Sequence, residues 1–66
     1  MDTSQLTSLD RLIEESAEVI HAACKVIRFG PDKHWDKENT TNIKALFNEI
    51  SQLEKKISIV KKEFKI

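Results

Sequence analysis

Cysteine occurs once, at Cys24, so no disulfide can close within the chain, and a reducing, intracellular setting is expected. One glycine and one proline, Gly30 and Pro31, stand side by side and leave few places to turn. Neither charge sign is in excess: eleven acidic residues face eleven basic ones. That balance removes the overall positive field that draws proteins to nucleic acid, and no specific nucleic-acid partner is expected. No apolar run approaches the roughly 18 residues that span a bilayer. The opening "MDTSQLTSLD" lacks the basic, apolar character of a signal peptide. Both absences point to the cytoplasm.

What remains is helical in character. With 39% hydrophobic and 33% charged residues over 66 positions, the composition is that of a folded helical unit rather than a disordered tail. Such a short chain buries too little apolar surface to be comfortably stable alone. Self-association is the expected remedy.

Leu6, Leu9, Ile13, Ser16, Ile20, Ala23 and Ile27 recur at alternating steps of three and four, which is helical periodicity. Leu12, Val19 and Val26 add a second strip, and Ala17 and Cys24 widen the opposite edge. The arc is too broad for one partner helix, and Cys24 is expected in a core. Thr3, Ser4 or Thr7 could cap the start; Gly30 and Pro31 end it. The polar stretch "DKHWDKENTT" follows, with Asn39, Thr40 or Thr41 as the next cap. Ile43, Leu46, Ile50, Leu53, Ile57, Val60 and Phe64 then form an unbroken coiled-coil-like stripe. The expected architecture is all-α and covers residues 1–66 as one domain: a helix over about 5–29, a loop over 30–40 and a helix over about 41–64. The two helices form an antiparallel hairpin that dimerises, or assembles further, into a four-helix bundle.

Glu14, Glu15 and Glu18 admit two readings. As surface charges they form a wet helix face, with Arg11 pairing Glu15 and Lys25 offsetting Glu18. As ligands, Glu15 and Glu18 are three apart and can reach one point beside the helix. Acids on one helix facing acids on another are how bundles hold hard divalent cations such as Mg²⁺. Glu49 lies on the flank of the second stripe, placed to look towards a neighbouring helix. Beyond Glu18, Lys25 and Arg28 are candidates to grip phosphates, or plain cations near a helix C-terminus. His21 lies between these two groups, and no second His or Cys has zinc-ligand spacing. Trp35 either stacks on a base or covers the end of the bundle. Asn42 either sets helix register or contacts a ligand. The lysines near the end of the second helix suit its dipole.

"EESAEVIHAACKVIRFG" followed by "NIKALFNEISQL" resembles the MazG-type all-α nucleoside triphosphate pyrophosphohydrolases, in particular their small phage-encoded members. The resemblance spans roughly residues 9 to 54. It implies a Glu-Glu-x-x-Glu motif at Glu14, Glu15 and Glu18 and the first acid of a Glu-x-x-Asp motif at Glu49. It further implies Mg²⁺ held by these acids, catalysis by Glu15, Glu18 and Glu49, dimers or tetramers, and release of pyrophosphate from a nucleotide in the host cytoplasm. The last acid of the pattern falls at Gln52, a neutral and poor ligand for a hard cation. Two functions follow from this departure. One is binding or sequestration of a nucleotide or nucleotide-derived signal with weak or no hydrolysis, using Lys25, Arg28, His21, Trp35, Asn42 and Gln52. The other is an active Mg²⁺-dependent pyrophosphohydrolase. A ligand-free coiled-coil interaction module stands apart from both.

Overall fold

The computed structural model describes residues 1–34 and 39–65. Two helices, α1 (Thr3–Phe29) and α2 (Asn42–Phe64), pack against each other as a hairpin. α1 starts earlier than the Ser/Thr pattern suggested. Asp2 is its N-cap, and its side chain accepts from the Gln5 N–H at 2.9 Å. The Gln5 side chain accepts from the Asp2 N–H at 3.0 Å, which completes a reciprocal capping box. At the other end the Gly30 N–H donates to the Val26 carbonyl. Gly30 has φ 92°, a region that side-chain-bearing residues rarely enter.

Thr41 is the cap of α2, accepting from the Lys44 N–H at 3.3 Å. The connecting segment folds back over this helix start. His34 and Thr41 form an isolated antiparallel bridge. The Asn42 and Ile43 N–H groups donate to the Lys33 and Pro31 carbonyls at 2.8 and 3.0 Å, and the Ala45 N–H donates to the Thr41 carbonyl. The donors that a helix normally leaves open at its N-terminus are thus taken up by the chain itself. At the far end of the hairpin the Gln5 amide donates to the Glu63 carbonyl at 3.3 Å.

The line along which the helices meet differs from the sequence expectation. On α1 it runs through Ser8, Leu12, Glu15, Val19, Ala22 and Val26, all buried or half-buried. On α2 it follows Asn42, Leu46, Glu49, Leu53, Lys56, Val60 and Glu63. α1 is turned so that part of its apolar stripe points away, whereas the α2 stripe is half-buried at every position but Ile57, and polar residues of both helices share the contact. Leu6, Ile13, Ile20 and Ile27 are exposed, Ile13 and Ile20 at 65% and Ile27 at 83%. Cys24 lies on this open face, not in a core. Ala22 alone among the described hydrophobic residues is buried. No described helix is long and apolar enough to cross a membrane.

Candidate functional site

Turning the helices in this way brings acids from both arms to one edge of the hairpin. Glu15 and Glu49 are half-buried on the contact line, and Glu18 is exposed beside them. The Glu49 carboxyl is held above its ordinary value of 4.5. Burial is the largest cause, followed by the negative charges of Glu18 and then Glu15, and by hydrogen bonds to both that favour the protonated form. One oxygen of Glu15, Oε2, is enclosed and has no hydrogen-bond partner. A carboxyl whose proton affinity is raised in this way by neighbouring acids is a common property of functional clefts.

A cleft of about 170 Å³ opens from these acids towards the loop, lined by Glu18, His21, Ala22, Lys25, Ala45 and Glu49 together with Asn42. Two alanines, one from each helix, keep its floor low. His21 stands on the exposed rim, and Lys25 is half-buried with a partner of its own. Asn42 is 1% exposed. Its Nδ2 donates to the Gly30 carbonyl at 3.1 Å, while its Oδ1 is buried and unpartnered.

The remaining candidates lie elsewhere. Glu14 points to solvent and pairs at 3.8 Å with Arg11, which the sequence had paired with Glu15. Arg28 and Gln52 are exposed and do not line the cleft. Trp35 lies outside the described residues. A wider groove of about 430 Å³ sits at the opposite end of the hairpin, between Thr3, Ser8, Arg11, Lys56 and Ile59. It contains neither the clustered acids nor an unpartnered buried polar atom.

Carboxylate oxygens are suitable donors for a hard divalent cation, and the orphaned Glu15 oxygen fits that chemistry. In their present positions, however, the acids face one another, and no group of three or more His, Cys, Asp or Glu among the described residues has metal-holding geometry. Asn42 is the residue whose state the sequence signalled least. Its position inside the stripe was visible, but its half-used amide was not. Comparisons with protein-family models, curated proteins and solved structures return no match for this chain.

Proposed function

We propose that the chain is a MazG-like nucleotide-binding protein that holds or sequesters a nucleotide, or a signal derived from one, with weak or no hydrolysis. The observation that carries the reading is the meeting of Glu15, Glu18 and Glu49 from two different helices, Glu18 and Glu49 lining one cleft, with Glu49 driven towards protonation by burial and by its neighbours. Acids gathered this way repel bare phosphates, so a nucleotide enters accompanied by a cation. Mg²⁺ suits the oxygen donors and would neutralise phosphate charge when bound. The three glutamates would then turn from each other towards the ion. With Gln52 neutral and exposed, the acids are fewer than the MazG-type pattern has, and activation of an attacking water is correspondingly weak.

Self-association belongs to the same proposal. Leu6, Ile13, Ala17, Ile20, Cys24 and Ile27 follow heptad spacing on the face of α1 turned away from α2, and all are exposed. A second copy covering this face would complete a four-helix bundle and supply the core that one hairpin lacks. The same stripe favours a second reading, a coiled-coil module that binds protein and no ligand.

Thermal melting with a panel of linear and cyclic nucleotides, with and without Mg²⁺, tests the proposal. Stabilisation that grows with ligand concentration supports it. No shift with any nucleotide overturns it and leaves the interaction module. Release of pyrophosphate at ordinary enzyme rates from the unaltered chain would make it a working hydrolase instead. Gln52→Asp should raise any residual activity.

A further inference from the structure

The base end of the cleft can be read from Asn42. Its amide is fixed in one sense, because the Gly30 carbonyl can only accept and the group facing it at 3.1 Å must therefore be the NH₂. Oδ1 is left as a buried acceptor with no partner inside the protein. A buried polar atom without a partner is uncommon and calls for an explanation. The backbone donors around it are already used. The N–H groups of Asn42, Ile43, Lys44 and Ala45 are bonded to Lys33, Pro31 and Thr41, and that of Gly30 to Val26. Lys25 is already engaged. A keto oxygen set against Asn42 Oδ1 would face it oxygen to oxygen, whereas an amino group there supplies the donor it lacks.

The spacing suits one nucleotide. Asn42 and Glu49 are seven residues apart on α2, about 10 Å at 1.5 Å per residue. That separation sets the base at Asn42 and the phosphates at the acids, across the low floor of Ala22 and Ala45.

Resting on the nucleotide reading above, we infer that Asn42 Oδ1 accepts a hydrogen bond from the amino group at C6 of adenine or C4 of cytosine, the position at which hypoxanthine, guanine and uracil carry a keto oxygen, so that the ligand is an adenine or cytosine nucleotide. Isothermal titration of the intact protein with ATP against ITP, and CTP against UTP, all with Mg²⁺, tests this. The amino-bearing member of each pair is expected to bind about tenfold tighter, the scale of one good hydrogen bond with its keto counterpart unpaired. Asn42→Ala should bring the two members of each pair to equal affinity. If that variant does not fold, the two pairs on the unaltered protein decide alone. Equal binding within both pairs, or tighter binding of the keto members, overturns the inference while the nucleotide reading stands. No binding of any of the four overturns the inference, and the nucleotide reading falls with it only if the wider panel also gives no shift.

Discussion

The two edges of α1 are equally long and meet different fates. On one, Ile13, Ile20 and Ile27 reach open solvent. On the other, Glu15 is tucked against α2, where Glu49 meets it. Hydrophobicity alone would have reversed that assignment, burying isoleucine and exposing glutamate. The difference shows that a hairpin this small does not complete its own core. It places acidic side chains at the helix contact and leaves much of its apolar surface exposed.

Breaking the apolar edge should have the largest effect. Ile13→Glu together with Ile20→Glu removes two side chains whose burial is worth about 1.5–3 kcal/mol each and sets charges opposite a partner copy. Sedimentation velocity should show an associating parent and a monomeric variant, with the variant melting well below it. A parent already monomeric at high concentration would refute the assignment of that edge.

Leu12 lies where both edges depend on it, on the line between the helices. Leu12→Ala should cost about 2 kcal/mol in urea unfolding, the low end for truncating a leucine because the site is only half-buried.

The acid edge should respond to pH. Glu49 holds its proton more tightly when folded, so its favourable contribution is complete below its unfolded value near 4.5 and is lost as pH rises through the elevated folded value. Glu49→Gln is therefore expected to raise the melting temperature at neutral pH and to flatten its fall between about pH 4 and 7. A steeper fall in the variant would contradict the clustering of acids. Smallest of all, Arg11→Ala breaks an exposed pair and should change stability by about 0.3 kcal/mol, readable in the same denaturation series.

Much of this was legible in the sequence. Gly30 and Pro31 marked the end of α1, and the unbroken apolar periodicity of α2 located that helix. The rotation of the helices was not legible. The arc of α1 is wide enough that several faces could meet α2, and the periodicity of leucine and isoleucine cannot choose among them. The choice fell on small and polar positions, Ser8 and Ala22 on α1 and Asn42 on α2, which allow close approach or make specific hydrogen bonds. The early start of α1 was missed because it depends on a pair, Asp2 with Gln5, rather than on one favoured capping residue. Of the site, Glu49's flank position suggested that it faces inward. The proximity of Glu15, Glu18 and Glu49 depends on helix rotation and needed the three-dimensional structure.

Gly30 gives the cleft a remote adjuster. It has no side chain to touch a ligand, yet its unusual backbone twist aims the carbonyl that pins the Asn42 amide. A β-carbon there would meet no hard obstacle, its nearest neighbour being the Lys33 side chain at 3.9 Å. The penalty for adding one is torsional, and it would swing the carbonyl. The setting of the Asn42 amide is thus open to change from a position that does not line the cleft.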